Sequence, residues 1–417
     1  MPEKRILCLT NGYGEDSFAQ LICTALLEEM ENQHLPFHLS LLPLIGEGQS
    51  FQELLTQYPG RVSLLHRSPI FPYEGIYTGN FLTRFFRFMV DMTHGGFKNI
   101  LFIASLLGHM RKKSDLVLVV GDALPLLLVY LFNRQKAYFF ACTRTTLLRQ
   151  KGAPYERLGR FNAFVLRHCA HRVYTRDEPT AQWFRSLGIC ATYHGFVAPR
   201  WCEENRDSTT VLFLPGQRGE WKKNFLFLAQ VITQCPDLWR SLTPHFAFSS
   251  KLSPSEIRVL IQSVGQMLSP STFLLNGAIV SWSHGDYFTH LPQTAVVVGF
   301  AGTALHYAAY LGIPCLRPYL GNDARLYSHS SRCRQKLILG EALIDGGSTL
   351  EETVLHLREA LSNLSHFRER AKNFSRRVWQ KRGDGAKNIA QELVSILRTL
   401  PQHQDRTPEL LYSRSGR

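Results

Sequence analysis

Short apolar runs alternate repeatedly with amphipathic segments, and this alternation constrains the fold of the chain more than any other feature. Residues 6–9 form a continuous apolar run, which is typical of a parallel strand buried on both faces. After a break that contains Gly12 and Gly14, apolar residues from Phe18 to Leu26 recur at the spacing of one helix face. Helical stretches separate four more strand candidates in the first half: 39–42, 116–120, 137–141 and 172–175. The pattern predicts an open, mostly parallel α/β sheet with helices on both faces.

A second series of the same kind follows a polar stretch at 193–207, which we interpret as the linker between two domains. It holds strand candidates at 211–214, 245–248, 295–298 and 314–317, and helix candidates at 221–233, 254–264 and 303–311. This repetition predicts two Rossmann-like domains whose parallel sheets face a central cleft. The predicted bounds are 1–200 and 208–385 for the two domains, 386–400 for a closing helix and 401–417 for a disordered tail.

Composition narrows the class of protein further. The 417 residues are 45% apolar and 19% charged, which excludes wholesale disorder. Leu116 to Phe132 is the most apolar stretch, but Asp122 and Pro125 interrupt it, so no membrane-spanning helix is expected. Nine scattered cysteines without a CxxC pair predict neither disulfides nor a metal site. With no leader signature, these features predict a soluble cytoplasmic protein.

The net charge of +14 indicates either an anionic partner or a solvated basic surface. Nucleic acid, an anionic membrane and an anionic small substrate all fit such a charge. We find no RNA-binding or DNA-binding motif, so nucleic acid is not expected as a partner. Much of the excess lies in 358–382 and in the last residues, where a solvated helix face or tail is the plain alternative.

Two loops of the first half stand at the carboxyl ends of predicted strands, where open α/β sheets bind their ligands. The first, at 11–17, reads NGYGEDS and leads into a helix. Its glycines allow close approach of a ligand, although Glu15 and Asp16 could equally complement the helix dipole. The second holds Asp122, whose carboxylate is either a general base or a helix N-cap.

Two further glycine-containing loops lie in the second half. Residues 214–220 read LPGQRGE and offer backbone amides and the Arg218 guanidinium to a phosphate. Residues 299–304 read GFAGTA and lead from a strand into a helix whose N-terminus suits a pyrophosphate. A purely structural turn is the alternative for either loop.

Taken in order, these motifs resemble those of the lipid-A-disaccharide synthase family. The donor domain of that family has a PGSR loop and an SGTA-type loop, which PGQRGE and GFAGTALHYAAYLGIPCLRP resemble. In the first half, GYGEDS and VGDALP are similar to two further segments of the family. The chain is closer still to the related proteins with an NGHGED start, a VGD segment and an RD-x-x-T-A segment, here beginning at Arg176. The resemblance runs from about residue 6 to residue 390.

The resemblance implies a metal-independent, inverting GT-B glycosyltransferase without a cofactor. Such an enzyme moves an N-acetylglucosamine-type sugar from a UDP-sugar to a lipid-linked acceptor. It implies Asp122 as the base that deprotonates the acceptor hydroxyl, with Glu15 as the second catalytic candidate. Gly14, Asp16 and Ser17 would line the acceptor side. The residues implied in nucleotide-sugar binding are Gly216, Arg218, Glu220, Gly302, Thr303, Ala304 and His306.

The chain departs from the family at two of these positions. His306 stands where GT-B donor domains usually have the Glu that binds the ribose hydroxyls, and Gln217 replaces the Ser of PGSR. Two other functions therefore stay open. One is a GT-B-fold UDP-sugar 2-epimerase, and the other is a degenerate nucleotide-binding or membrane scaffold protein. Oligomeric state cannot be predicted from the sequence.

Aromatic and basic residues are interleaved between Phe81 and Lys113. The stretch includes Phe85 and Phe86 beside Arg84, Arg87 and Lys98, a composition typical of segments that lie on an anionic bilayer. The alternative is a core helix with snorkelling basic residues. With a lipid acceptor implied, we expect peripheral association with the inner face of the membrane.

Overall fold

The computed structural model describes residues 3–12, 14–69, 71–72, 81–111, 113–149, 159–198, 208–217, 219–300, 302–319, 329–379 and 383–400. For residues 81, 83, 84, 149, 329–331 and 333 it describes the backbone alone. The segment 401–417, for which the sequence predicts a disordered tail, lies outside the described residues, as does most of the predicted linker.

The first half forms a seven-stranded parallel sheet in the order β3-β2-β1-β4-β5-β6-β7. Its strands are almost wholly buried, as continuous apolar runs predict. The strands are β1 Lys4–Thr10, β2 Phe37–Pro43, β3 Val62–Leu64, β4 Leu116–Val120, β5 Ala137–Phe140, β6 Ala170–Tyr174 and β7 Ala191–Thr192. The helices are α1 Gly14–Asn32, α2 Gln52–Gln57, α3 Phe81–Asp91, α4 Phe97–Met110, α5 Ala123–Leu128, α6 Arg160–Cys169 and α7 Glu178–Ser186.

The second half forms an eight-stranded sheet in the order β10-β11-β12-β9-β8-β13-β14-β15. The strands are β8 Thr210–Leu214, β9 Thr243–Phe248, β10 Gln266–Ser269, β11 Thr272–Leu275, β12 Ala278–His284, β13 Thr294–Gly299, β14 Cys315–Arg317 and β15 Leu343–Asp345. The helices are α8 Trp221–Thr233, α9 Pro254–Gln262, α10 Tyr287–His290, α11 Gly302–Tyr310, α12 His329–Leu339, α13 Leu350–Ser362, α14 Leu364–Val378 and α15 Gly385–Thr399.

One edge of the second sheet differs from the expected parallel pattern. β11 pairs antiparallel with both β10 and β12, and β12 returns to parallel pairing with β9. The turn between β11 and β12 contains Asn276 and Gly277, both with positive φ. An Asn-Gly pair readily adopts this conformation, so it favours the tight turn that joins β11 and β12 in a hairpin.

The closing helix α15 returns to the first half and packs against α1. Its Glu392 accepts hydrogen bonds from Arg172 (2.6 Å) and Tyr174 (3.1 Å) and is also paired with His194. The start of α15 comes so close to Gly195 that a Cβ at Gly385 would lie 2.4 Å from the Gly195 carbonyl oxygen. Helix α15 is therefore fixed against the first domain.

Candidate functional site

The glycine loops of the two halves meet. Gly14 begins α1, and a Cβ at this position would lie 2.7 Å from Oγ1 of Thr303 in the first turn of α11. The loop also needs Gly12, whose φ is +112° and whose added Cβ would lie 2.5 Å from the Ile45 carbonyl oxygen. The sequence predicts ligand-binding loops at the carboxyl ends of β1 and β13. In the structure these two loops face each other.

Asp16 joins the two halves electrostatically. Its carboxylate is 1% exposed and accepts a hydrogen bond from the Thr10 hydroxyl at 2.6 Å. Nζ of Lys251, which follows β9, lies 3.7 Å from the other carboxylate oxygen. Ser17, one residue further along α1, is half-buried. Asp16 therefore orders the loop and the contact between domains.

Asp122 follows β4 and is the N-cap of α5, where its Oδ1 accepts a hydrogen bond from Leu124 N at 2.9 Å. Asp122 can be both a helix N-cap and a general base, because capping engages only one of its two carboxylate oxygens. Burial raises the pKa of the Cys142 thiol well above its ordinary value, and the charges of Glu15 and Asp122 raise it further. Glu15 and Asp122 therefore lie close to the same buried thiol.

The loop after β8 is held from both sides. Asn224 donates to the Pro215 carbonyl at 2.9 Å, and the Ser249 hydroxyl donates to Oε1 of Gln217 at 2.8 Å. Gly216 has a φ of +91°, which favours glycine, and Glu220 is half-buried directly before α8. Arg218, predicted to bind phosphate, lies outside the described residues.

Gly302, Thr303 and Ala304 form the first turn of α11, so their amides belong to the free N-terminal end of a helix. Tyr287 fixes this turn by donating a hydrogen bond to the Ala304 carbonyl at 3.1 Å. The turn faces the start of α1, and its partial positive charge lies at the boundary of the two domains.

Arg176 is a site residue that the sequence argument did not select, although its segment contributed to the family resemblance. It follows β6, is 6% exposed, and donates to the Cys142 carbonyl and to Nδ1 of His306, each at 3.1 Å. Its neighbour Asp177 caps α7 through Thr180 N. The two residues have different roles: Asp177 caps α7, and Arg176 contacts His306 in the second domain.

His306 lies in a strongly positive environment. Burial lowers its pKa well below the ordinary value, and the charges of Arg176, Arg334 and Arg317 lower it further. Arg317, at the end of β14, is 5% exposed, so much of this charge is shielded from solvent. The arrangement keeps His306 neutral and makes this side of the cleft suitable for an anion.

The first domain also carries a large exposed apolar surface. Phe85 and Phe86 are exposed on α3, Lys98 is exposed on α4, and Arg87 is half-buried; the side chain of Arg84 lies outside the described ones. We define the apolar face as the following residues, each between 38% and 74% exposed: Leu82, Phe85, Phe86, Phe88, Met89, Phe97, Leu101, Phe102, Leu124, Tyr130, Leu131, Phe132, Phe161 and Phe164.

The apolar face extends beyond the stretch that the sequence predicted. α4 packs against the helical segment Val129–Asn133, and α5 packs against α6, so these four segments contribute to the face together with α3. Leu124 is two residues from Asp122, so the face reaches the predicted base. Within the described ranges, no helix has both the length and the hydropathy to span a bilayer. The same residues contain no group of three His, Cys, Asp or Glu side chains arranged to hold a metal ion.

Comparison with known proteins extends the description of the fold. No protein-family model and no curated protein matches the chain. A UDP-GlcNAc 2-epimerase from Neisseria meningitidis, solved with UDP-GlcNAc, is similar with a TM-score of 0.52 and 12% identity over 94% of this chain and 99% of that one. The epimerase from Methanocaldococcus jannaschii, solved with UDP-GlcNAc and UDP, has a TM-score of 0.52 and 14% identity over the same shares.

A third similar structure is UGT2 of Phytolacca americana, complexed with UDP-2fluoro-glucose and pterostilbene. Its TM-score is 0.53, with 12% identity over 95% of this chain and 100% of that one. Identities this low establish the fold alone. The chain therefore has the GT-B architecture, two Rossmann-like domains facing a cleft, as predicted from its sequence.

Proposed function

We propose that the chain is a glycosyltransferase that moves a sugar from a UDP-sugar to a lipid-linked acceptor at a membrane surface. The observation that carries the proposal is the apolar face, because it extends from α3 to Leu124 and so ends beside Asp122. An apolar acceptor on this face would have its reactive hydroxyl near a carboxylate in the cleft.

The donor side of the proposal rests on the boundary of the two domains. The N-terminus of α11 and the positive charges around His306 suit a diphosphate. These groups would stabilise the charge that develops on the departing UDP without needing a metal ion. Arg218 and the loop after β8 would complete the nucleotide-sugar site.

The acceptor side rests on Glu15 and Asp122. Asp122 Oδ1 caps α5, and the carboxylate is only half-buried, so it can accept a proton from an acceptor hydroxyl as the glycosidic bond forms. Glu15 lies near the same thiol and would assist in orienting the acceptor. Gly14 and Ser17 would line this side of the cleft.

The membrane part of the proposal rests on the size and surroundings of the apolar face. Monomeric proteins seldom leave so many large apolar side chains exposed on adjoining helices unless they bind something there. Lys98 and Arg111 are exposed at the two ends of α4, where they can meet anionic headgroups while the aromatic residues enter the interface. We therefore propose peripheral association with the inner face of the membrane.

A UDP-sugar 2-epimerase is the second candidate, favoured by the similarity to two epimerase structures. Such an enzyme acts within the nucleotide sugar and needs no lipid acceptor, so the apolar face has no role in it. The fold is common to both activities and does not distinguish them. A non-catalytic scaffold would bind membrane or nucleotide without turning the sugar over.

One experiment separates the three functions. The purified chain is given membrane lipids and a panel of UDP-sugars, and both the lipids and the nucleotide sugars are analysed by mass spectrometry and chromatography. The proposal expects a new glycolipid and free UDP. If an epimeric UDP-sugar forms in the absence of lipid, the transferase proposal is wrong and the chain is a 2-epimerase. Absence of both products would favour the scaffold.

A further inference from the structure

A series of polar contacts connects the loop at 11–17, here called the acceptor loop, with the loop at 214–220, the nucleotide loop. In the first domain the Thr10 hydroxyl donates to Oδ1 of Asp16 at 2.6 Å. Oδ2 of the same carboxylate lies 3.7 Å from Nζ of Lys251 in the second domain. The side chains of this ion pair are only 2% and 14% exposed, so solvent and salt screen it weakly. Separating the two charges is therefore costly.

Lys251 is also connected to the nucleotide loop. Its backbone nitrogen donates to Oγ of Ser249 at 3.3 Å, and the Ser249 hydroxyl donates to Oε1 of Gln217 at 2.8 Å. Gln217 stands where the PGSR loop has Ser, whose side chain is shorter. The longer glutamine side chain thus extends the series of contacts into the nucleotide loop.

The turn 249–252, which carries Lys251, is held in place at its far end. Leu252 N donates to the Ser249 carbonyl at 3.0 Å, which closes the turn. The Leu252 carbonyl accepts a hydrogen bond from Nε2 of His284, at the end of β12, at 2.9 Å. A turn with these restraints moves as a unit, so the positions of Gln217 and of Nζ of Lys251 depend on each other.

Both ends of the series lie beside residues of the proposed site. Asp16 directly follows Glu15, the carboxylate that we assign to orienting the acceptor, and Gln217 directly follows Gly216. A nucleotide that orders the nucleotide loop will therefore also restrain the acceptor loop, because a buried ion pair resists their separation.

We propose that Lys251 is a positioning residue that couples nucleotide binding to the order of the acceptor loop. It acts on that loop through Asp16, and it is connected to the nucleotide loop through Ser249 and Gln217. The inference rests on the proposed function, since it requires UDP to bind the nucleotide loop. It also gives the departure from the PGSR pattern a role in the coupling.

The test is hydrogen–deuterium exchange of the full chain, measured by mass spectrometry with and without UDP. In the wild type we expect UDP to slow exchange in both loops by about 10-fold. In Lys251→Met and Gln217→Ser, UDP should still slow exchange in the nucleotide loop, but by less than about twofold in the acceptor loop. Lys251→Arg should restore the coupling, because a guanidinium keeps the positive charge and the donors.

Lys222→Met is the matched control. The Lys222 side chain pairs with Glu256 at 3.0 Å, so this lysine ion pair lies within the second domain and does not cross to the first. Both loops should respond to UDP in this variant as they do in the wild type. An acceptor loop that loses its response here as well would overturn the inference, because the effect would not depend on the pair with Asp16.

Two further comparisons complete the test. Without UDP, the acceptor loop should exchange about 3- to 10-fold faster in Lys251→Met than in the wild type. If UDP protects the acceptor loop equally in both, the coupling does not pass through Lys251 and the inference is wrong. If UDP leaves the nucleotide loop of the wild type unchanged, the proposed function is wrong, and the comparison without UDP alone decides whether Lys251 positions the acceptor loop. Gln217→Ser leaves no buried charge behind, so it decides the question if Lys251→Met does not fold.

Discussion

Asp122 has a structural role and a proposed chemical role that substitution can separate. Asn is as good an N-cap as Asp, so Asp122→Asn should preserve the hydrogen bond to Leu124 N and with it the start of α5. The amide cannot take a proton from an acceptor hydroxyl. We expect turnover to fall by about 10²–10⁴-fold, with unchanged affinity for UDP and unchanged thermal stability.

The matched control is Asp384→Asn, which alters another N-cap carboxylate at the start of α15. It should leave turnover close to that of the wild type. Transferase assays with UDP-sugar and lipid acceptor measure both variants. Near-normal turnover in Asp122→Asn would exclude Asp122 as the base.

Gly14 provides a test of how closely the two loops must approach. An added Cβ would lie 2.7 Å from Oγ1 of Thr303, too close for either loop to stay in place. Threonine has few alternative rotamers, so we expect Gly14→Ala to displace the first turn of α11. Binding of UDP-sugar should weaken on the order of 3- to 10-fold, measured by titration. Gly108→Ala, in open space on α4, should bind normally and be slightly more stable.

At the scale of elements, the apolar face yields a prediction about membranes. We expect the purified chain to sediment with anionic liposomes and not with neutral ones, because basic residues flank the aromatic ones. Changing Arg84, Arg87 and Lys98 together to Glu should reduce the bound fraction several-fold. The control changes three exposed basic residues elsewhere to Glu: Lys223, Arg258 and Arg398. Equal loss in both triple variants would contradict a specific membrane face.

Some elements could be predicted from the sequence and others could not. α8 occupies 221–233 as expected, because its apolar spacing is regular and Gly219 stands just before it. β10, β11 and β12 could not be predicted from the alternation of strands and helices, because they follow one another without an intervening helix and β11 pairs antiparallel with both neighbours. Asn276-Gly277 was the available signal for this hairpin, as the pair favours the positive φ values that the turn requires.

At the scale of the molecule, contacts between residues far apart along the chain could not be predicted from the sequence. The loops after β1 and β13 could be assigned to ligand binding because parallel strands end at one edge of a sheet. The contact between Arg176 and His306 joins residues 130 positions apart in different domains. It depends on how the domains are oriented, and no local pattern encodes that orientation.

The closing helix α15 provides the last prediction, because it ties residues 385–399 to the first domain. Glu392 accepts hydrogen bonds from Arg172 and Tyr174 and is paired with His194. Glu392→Ala should therefore lower the free energy of unfolding by about 2 kcal/mol. Glu359→Ala, an exposed position on α13, is the control and should have little effect.

The same carboxylate predicts how stability depends on pH. Burial disfavours the ionised form of Glu392, but the hydrogen bond from His194 and the charge of Arg172 outweigh it, so the pKa is lowered from its ordinary value of 4.5. A group with a lowered pKa in the folded state contributes its full stability above the unfolded pKa and loses it as pH falls through the folded one. The part of the difference in unfolding free energy between wild type and Glu392→Ala that comes from this shift should thus be complete above about pH 5 and shrink at lower pH. Denaturant titrations at several pH values measure it, and a difference that grew on acidification would contradict this account of α15.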